Sequence, residues 1–346
     1  DLVVEDGRVY YRNISDEKAL VGAVYRRVSD EYLDPTVFEA DSLLGVPNIM
    51  QAYAAGNVAI VNAPGNGVAD DKGIYYFVPK MVEYYLGEEP ILQNAPTYLP
   101  YYKEDSDYVL ANINPDIIYG KMMPKELVPE REKKLSAARD RKMGGRMFTA
   151  YFCCDKSAEE LGIKDYSIFL SGHADSAQEY RDLQGGIKTN DYSIFLCYNI
   201  ANPDFSPEGT CVCSFTTFGS PVDWNDLKQE DYVALKNAFA KKFLKSLKDK
   251  AGIELEGHIE EMAVATPWTF ARYLNAPEGA VYGYETTDWD GMMARLQMLA
   301  TDYPIKGLRP IGAAGPRGDG YSAAMLTGQL MARLAIKDLS EEGGNK

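Results

Sequence analysis

The sequence predicts an α/β (α+β) chain in two parts, with a mixed sheet and packed helices in the larger C-terminal part. Short runs rich in β-branched and aromatic residues alternate with amphipathic segments, which favours strands interspersed with helices. With 346 residues, 46% of them hydrophobic, the chain can build two domain cores. A charged run over 103–107 indicates a boundary, so we predict parts over 1–106 and 107–340 and a disordered tail over 341–346.

The N-terminal part is predicted to begin with a hairpin. Asp6-Gly7 supplies the positive φ angles of a two-residue turn between two apolar runs. Further along, β-rich runs alternate with apolar residues at helical spacing, and Pro79 should bend the last helix. The predicted elements are strands over 21–28 and 57–63 and helices over 48–55 and 72–85.

The C-terminal part contains the hexamer Asp-Tyr-Ser-Ile-Phe-Leu twice, at 165–170 and 191–196. Two copies are too few for a repeat architecture, so we predict two strands of one sheet. The clearest helix covers 223–249, with an apolar stripe opposite lysines, and should pack on that sheet. Pro267 suits the first turn of a shorter helix. Further strands are predicted over 147–154, 166–170, 192–198 and 210–218.

The end of the chain carries a glycine-rich segment between an apolar run and an amphipathic one, which predicts strand, tight loop and helix. Glycine lets the backbone approach a ligand, and the free N–H groups of the helix's first turn, near 321–324, would face an anionic or carbonyl oxygen. The pattern is typical of a cofactor-binding site. A glycine-rich turn before a capped surface helix produces the same pattern.

Charge and composition exclude several classes of protein. A net charge of −15 offers no basic surface for nucleic acid. No apolar run approaches the roughly 20 residues of a membrane span, and the acidic start lacks the basic leader of a signal peptide. We therefore predict a cytoplasmic protein without a transmembrane segment. The five cysteines predict reduced core thiols, and His173 and His258 share no metal-ligand spacing with them, so no metal site is predicted.

A second glycine-containing loop covers 65–72. It lacks the third glycine of a dinucleotide fingerprint, because Asp70 stands there, and it is not a P-loop. Two carboxylates and a lysine follow the glycine turn, at Asp70, Asp71 and Lys72. These residues suit a metal and a phosphate, and they also suit a solvated helix start whose carboxylates are stabilised by the helix dipole.

Motifs around this loop resemble a known family. They are Tyr25-Arg26-Arg27, Asp34-Pro35, Asp41 to Pro47, Ala55 to Val58, Asn62-Ala63, Gly67 to Lys72 and Tyr84 to Pro90. Residues 1–106 resemble the middle of the circularly permuted ATP-grasp family, which implies a carboxylate-amine ligase that uses ATP and magnesium. The resemblance assigns an alternative nucleotide site to Arg26, Arg27, Asn62, Asp70, Asp71 and Lys72.

Motifs beyond residue 112 resemble an unrelated family. They include Asn114-Pro115, Tyr119-Gly120-Lys121, Asn202-Pro203-Asp204, Ala265 to Tyr273, Gly283-Tyr284-Glu285 and the closing glycine loop. This part is similar to the C-terminal part of the phytoene desaturase, carotenoid isomerase and retinol saturase family of FAD-dependent oxidoreductases, without its N-terminal GxGxxG unit. The resemblance places Gly312, Gly315, Gly320, Tyr321 and Ser322 beside FAD, and it places Phe270, Arg272, Tyr273, Tyr282 and Tyr284 along the substrate.

The leading hypothesis is therefore an FAD-dependent oxidoreductase of the desaturase, isomerase or saturase type, present as two incomplete parts. Its partner would be a long apolar polyene or isoprenoid lipid, which the aromatic stretch over 268–289 suits, although core packing explains that stretch as well. No catalytic residue is assigned. The alternatives are an ATP-grasp carboxylate-amine ligase fragment with ATP and magnesium, or a non-catalytic chimeric join. Exposed apolar surface would favour self-association and peripheral membrane contact.

Overall fold

The structure is a computed structural model, and it describes residues 2–13, 17–97, 99, 108–130, 132–133, 142–285, 292–300, 305–318 and 320–343. Three features of the sequence predictions lie outside these residues: the boundary near 106, Trp289 of the aromatic stretch, and residues 344–346 of the tail. The side chain of Asp70 is also outside the description.

The described residues contain both strands and helices, so the predicted α/β (α+β) class is confirmed. The strands are β1 (Leu2–Glu5), β2 (Arg8–Arg12), β3 (Lys18–Leu20), β4 (Ala23–Tyr25), β5 (Ala59–Val61), β6 (Val109–Ala111), β7 (Arg146–Cys154), β8 (Ser167–Leu170), β9 (Ser193–Cys197), β10 (Cys211–Gly219), β11 (Ile259–Ala265) and β12 (Leu308–Pro310). The helices are α1 (Ile49–Ala54), α2 (Ile74–Leu86), α3 (Pro115–Ile117), α4 (Ser176–Gln184), α5 (Tyr198–Ala201), α6 (Pro221–Trp224), α7 (Gln229–Ala251), α8 (Pro267–Leu274), α9 (Met292–Arg295) and α10 (Tyr321–Gly343).

The chain divides into two compact units. The first unit comprises Asp1–Val24, Glu31–Ala59 and Met143–Gly283, and the second comprises Tyr25–Asp30, Ile60–Lys142 and Tyr284–Lys346. Both units combine segments from either side of residue 106. The division into 1–106 and 107–340 stays a prediction, since its boundary lies outside the described residues.

The core of the first unit is an antiparallel sheet with the strand order β11-β7-β10-β9-β8. Alternate residues of the long strands β7 and β10 point into the core, as expected for a sheet with one covered face. Helix α7 covers that face with Phe239, Phe243 and Leu247, all buried, and the rings of Phe148 and Phe239 stack at 5.0 Å. The helix ends at Gly252, whose φ of 71° allows the left-handed cap.

The predicted hairpin and the predicted use of the repeated hexamer are both confirmed. Strands β1 and β2 pair antiparallel around Asp6 and Gly7, whose φ angles are 49° and 72°. The two hexamer copies form β8 and β9, which are antiparallel neighbours. Phe195 in the second copy is fully buried, whereas Phe169 in the first copy is 65% exposed, because the register pairs Phe169 with Ile194 and so places it on the face opposite Phe195.

The second unit contains the parallel pair β6 and β12 and the long helices α2 and α10. Arg309 in β12 is 1% exposed and donates to Asp338 of α10 at 2.7 Å and to the Tyr108 hydroxyl at 2.5 Å. Tyr108 in turn donates to Asp338 at 2.6 Å. This buried network fixes the final helix to the strand pair. Within the described residues, no helix has both the length and the apolar composition of a membrane span.

Candidate functional site

The candidate site is the loop over residues 62–72, which we call the Arg26 loop. It lies entirely in the second unit, between β5 and α2. Asn62 and Gly65 have positive φ angles of 61° and 96°, which turn the chain sharply as it leaves the strand. A short 3-10 turn over Gly67–Asp70 then leads to the helix.

Arg26 holds this loop from inside. Its side chain is only 4% exposed, and its guanidinium donates to the Asn62 carbonyl at 2.7 Å and to the Ala63 carbonyl at 3.1 Å. Further donated bonds reach the Val28 carbonyl at 2.8 Å and Asn66 Oδ1 at 2.8 Å. A buried guanidinium needs this many acceptors because each unsatisfied donor would carry a desolvation penalty. Arg26 therefore positions the loop.

Asp30 and Asn62 complete the support of the loop. Asp30 forms an ion pair with Arg26 at 3.0 Å and accepts a hydrogen bond from the Gly65 N–H at 3.0 Å. The Asn62 side chain donates back to the Arg26 carbonyl at 3.0 Å. The predicted nucleotide residues Arg26 and Asn62 thus lie together and bind each other. Sequence reasoning did not single out Asp30 or Asn66, because their roles depend on contacts distant in the chain.

Three more of the predicted residues of this group face solvent. Arg27, Asp71 and Lys72 are exposed. Asp71 Oδ1 accepts the Gly73 N–H at 2.7 Å just before α2, in an Asx turn that leads into the helix without capping it. Neither Arg27 nor Lys72 forms an ion pair within the part of the chain that the structure describes. The loop therefore presents Lys72 and one described carboxylate, Asp71, to solvent on a fixed backbone, and Arg27 is exposed next to the arginine that holds the loop.

A buried carboxylate in the first unit was also missed. Asp34 is fully buried and accepts hydrogen bonds from the Thr36 N–H at 2.9 Å, the Asn48 N–H at 3.1 Å and the Met50 N–H at 2.9 Å. It satisfies backbone donors at the start of α1, so it stabilises that turn and helix. The Asp-Pro dipeptide signals the turn, but the sequence contains no signal for the bonds to the helix.

The glycine-rich loop before α10 is packed internally. A Cβ at Gly312 would overlap the Asn112 side chain, and a Cβ at Gly315 would overlap the Thr327 methyl group. Arg295 donates to the Ala313 carbonyl at 2.7 Å and to the Gly315 carbonyl at 3.1 Å. We call residues 312–318 the Arg295 loop. Its glycines permit close packing and positive φ rather than the approach of a cofactor.

Other features of the Arg295 loop agree with this interpretation. The Gly315 N–H donates to the Gly312 carbonyl at 3.1 Å, and the Gly318 N–H donates to the Gly315 carbonyl at 3.1 Å. Tyr321 is 90% exposed, and Ser322 is exposed beside it, while Gly320 has open space around its Cα. The loop lines neither of the two described cavities, which both lie in the first unit.

The predicted substrate-lining aromatic residues do not form one wall in either unit. Tyr273 and Tyr282 are exposed, and Phe270 is half-buried on α8. Arg272 lies over the Tyr32 ring at 4.3 Å and 3.7 Å from Glu31. Tyr284 belongs to the second unit, where it is buried and donates to Asp116. Local contacts therefore account for Arg272 and Tyr284.

A family model matches the N-terminal part of the chain, and several known proteins are similar to about a third of the chain. Residues 1–122 match the model of a family described as a circularly permuted ATPgrasp. The chain is 45% identical over 144 residues to an uncharacterized protein of Synechocystis sp., covering 39% of this chain and 30% of that protein. It is 42% identical over 114 residues to a putative glutamate--cysteine ligase 2-2 of Frankia casuarinae, covering 33% of this chain and 13% of that protein. The chain thus spans less than a third of the length of these relatives.

These comparisons correct the leading function prediction. The FAD-dependent oxidoreductase, its FAD cofactor and its carotenoid-type substrate are wrong, because the family match and the putative ligases support ATP-grasp, and nothing among them supports the phytoene desaturase resemblance. The physical reason is that a glycine-rich loop before a helix also arises where glycines are needed for packing, as at Gly312 and Gly315. The resemblance of the N-terminal part of this chain to the circularly permuted ATP-grasp family is confirmed.

Proposed function

We propose that the Arg26 loop contacts the nucleotide of an ATP-dependent carboxylate-amine ligase. The observation that carries the proposal is the exposure of Arg27, Asp71 and Lys72 around a loop whose backbone is fixed by buried Arg26. The match of this segment to a circularly permuted ATP-grasp and the putative glutamate--cysteine ligases among its relatives support the ligase class.

The chemistry of the exposed residues fits ATP with magnesium. Magnesium prefers carboxylate oxygens and commonly uses one or two protein carboxylates together with substrate phosphates. Asp71 would hold the metal through the oxygen that does not accept the Gly73 N–H, and Asp70 is a candidate second carboxylate. Lys72 and Arg27 would neutralise phosphate oxygens. When bound, ATP and magnesium would supply phosphoryl activation of a carboxylate.

Arg26 and Asn62 have a different role in this proposal from the one the sequence resemblance gave them. Their polar groups already bind backbone carbonyls and each other, so they hold the loop in the conformation that presents the exposed residues. A backbone fixed before the ligand arrives loses less conformational entropy on binding. The acid and the amine that a complete ligase would join remain outside this assignment.

Magnesium-dependent ATP binding to the full chain, measured by calorimetry, tests the proposal. Lys72→Ala should weaken ATP binding about 10- to 100-fold, because a charge-assisted hydrogen bond is lost. Asp71→Asn should weaken binding in the presence of magnesium and change it little in the presence of EDTA. Failure of the wild-type chain to bind ATP, or unchanged affinity in both variants, would contradict the proposal.

Matched controls lie on the same helix and just beyond it. Lys80 is an exposed lysine of α2, and Glu88 is an exposed carboxylate after its end. Lys80→Ala and Glu88→Gln remove the same charges from the same unit, so they should leave ATP affinity within about twofold. Equal losses in the controls would mean that general electrostatics, rather than the loop, attracts the nucleotide.

A further inference from the structure

Four of the five cysteines of the chain converge at one end of the central sheet in the first unit. β7 ends at Cys154, β9 ends at Cys197, and β10 begins at Cys211. The antiparallel register places Cys211 opposite Cys154 and Cys213 opposite Cys197. Cys211 and Cys213 are two residues apart on one strand, so their side chains share a face. All four thiols therefore point to the same side of the sheet.

The sulfur atoms are close enough to share one ligand. The Sγ atoms of Cys154, Cys211 and Cys213 all lie within 4.8 Å of one another, and the Cys211 and Cys213 sulfurs are 3.9 Å apart. Cys197 lies directly opposite Cys213 in the register of β9 and β10, on the same face of the sheet. Each of these four residues is at most 1% exposed.

These distances agree with the geometry of a thiolate metal centre. A zinc–sulfur bond of about 2.3 Å in a tetrahedron separates neighbouring sulfurs by about 3.8 Å. Within the part of the chain that the structure describes, this is the one group of three or more histidine, cysteine or acidic residues that approach so closely. Thiolates select soft or borderline ions such as Zn²⁺ over the magnesium that oxygen ligands prefer.

Buried cysteines also occur as small apolar residues of a core, as the sequence predicted. That interpretation accounts for the burial of each cysteine, but it does not require three sulfur atoms to lie within 4.8 Å of one another. The fifth cysteine provides the contrast, because Cys153 precedes Cys154 on β7, projects to the opposite face and is exposed. Spacing along the sequence could not reveal the group, because its members come from three strands.

We propose that Cys154, Cys211 and Cys213 bind one Zn²⁺ ion, with Cys197 as the fourth ligand. Binding replaces the thiol protons by the metal, so protons are released to solvent as the ion enters and no electron is transferred. The site would be structural, because four protein ligands leave no open position on the metal. It would tie together the ends of β7, β9 and β10 and add stability to the first unit.

Titration of the full-length, reduced protein with Co²⁺ under anaerobic conditions is the first test. A thiolate site should give sulfur-to-cobalt charge-transfer absorption and tetrahedral ligand-field bands that saturate at one ion per chain and disappear when Zn²⁺ is added. Absence of these bands in the wild-type protein would overturn the proposal, and so would a Cys154–Cys211 disulfide found by mass spectrometry of freshly purified protein.

Single substitutions of cysteine test which thiols bind the zinc ion. Cys213→Ala should weaken zinc affinity more than about 100-fold, beyond the 10- to 100-fold loss expected for an outer hydrogen-bond partner. Cys153→Ala should bind as tightly as wild type, because that thiol faces away. Equal loss in both variants would overturn the proposal. If Cys213→Ala does not fold, alkylation of the wild type in partly denaturing urea decides: added zinc should slow the modification of the four buried thiols and leave that of Cys153 unchanged, and an equal rate with and without zinc would overturn the proposal.

Discussion

The Arg26 loop and the Arg295 loop share one local design and differ in what they present to solvent. In both, a strand passes through glycines into a helix, and a buried arginine donates to carbonyls of the turn. In the Arg295 loop, Gly312 and Gly315 pack against Asn112 and Thr327 so closely that a Cβ would overlap them. In the Arg26 loop, a Cβ at Gly65 would meet no atom within 4 Å, and one at Gly67 would meet only Asp30 Oδ2, at 3.2 Å. The Arg26 loop is also flanked by exposed charges, Arg27 and Lys72 among them.

This difference shows how to interpret glycine-rich turns. Glycine is required both where backbone approaches a ligand and where backbone approaches another part of the protein. The sequence pattern is the same in the two cases, so it cannot distinguish them. The atoms around the position where a Cβ would stand do distinguish them, because a ligand-binding glycine faces open space and a packing glycine faces protein atoms.

The largest expected effect separates the two neighbouring arginines. Arg26→Met should lower the free energy of unfolding by about 3–5 kcal/mol, because it leaves Asp30 without its buried partner and loop carbonyls without donors. Arg27→Met should change stability by less than about 0.5 kcal/mol, since Arg27 is exposed. Urea denaturation of both variants measures the difference.

The same pair should behave in the opposite way in ATP binding. Arg27→Met is expected to weaken ATP binding while leaving the fold intact, so its affinity loss cannot result from unfolding. If Arg26→Met were as stable as wild type, the buried arginine would not be what fixes the loop. The contrast between the two loops would then lose its physical basis.

A second, smaller effect compares glycines directly. Gly312→Ala should destabilise the protein by about 2–4 kcal/mol, because a left-handed residue gains a Cβ and that Cβ overlaps Asn112. Gly65→Ala should destabilise the protein by only about 1–2 kcal/mol, the cost of a non-glycine residue in the left-handed region, since its Cβ would enter open space. Thermal or urea denaturation gives both values. Equal losses would show that packing does not distinguish the loops.

A third effect concerns a buried lysine instead of a buried arginine. Burial in α7 lowers the pKa of Lys236 from its ordinary value of 10.5 to about 8. Between those two values the unfolded chain binds more protons than the folded chain, so stability should rise with pH across that window. Lys236→Met should remove this rise and stabilise the protein at about pH 7 by roughly 2–3 kcal/mol.

Urea denaturation at about pH 7 and about pH 10 measures the effect of Lys236. Lys241→Met is the matched control, because Lys241 is an exposed lysine of the same helix. The wild type and this control should show the same dependence on pH. If Lys236→Met retained the full rise of stability with pH, the pH dependence would come from groups other than Lys236.

Much of the fold followed from local sequence patterns. The hairpin at Asp6-Gly7, the short helix α1 and the strands of the central sheet lie within a few residues of their predicted positions. Helix α7 begins later than predicted, because residues of its predicted start form α6, where Asp223 accepts a hydrogen bond from the Ile187 N–H at 2.8 Å. β4 is shorter than predicted, since Arg26 at its end turns its side chain to the loop.

The candidate site was less accessible to sequence reasoning. The resemblance to a known family identified the residues of the Arg26 loop. It could not show which of them are buried and which are exposed, because burial depends on contacts between segments far apart in the chain, such as that of Arg26 with Asn66. The cysteine group depends on the register of three strands. Periodicity and spacing describe neighbours along the chain, and neither contains this information.

The pairing of β8 with β9 has a consequence for assembly. Each copy of the repeated hexamer pairs its third residue with the sixth of the other and its fourth with the fifth, as in Ser167 with Leu196 and Ile168 with Phe195. The pair therefore has local two-fold symmetry. A β8 strand supplied by a second chain would meet β9 with every cross-strand neighbour preserved, as strand exchange between two molecules requires.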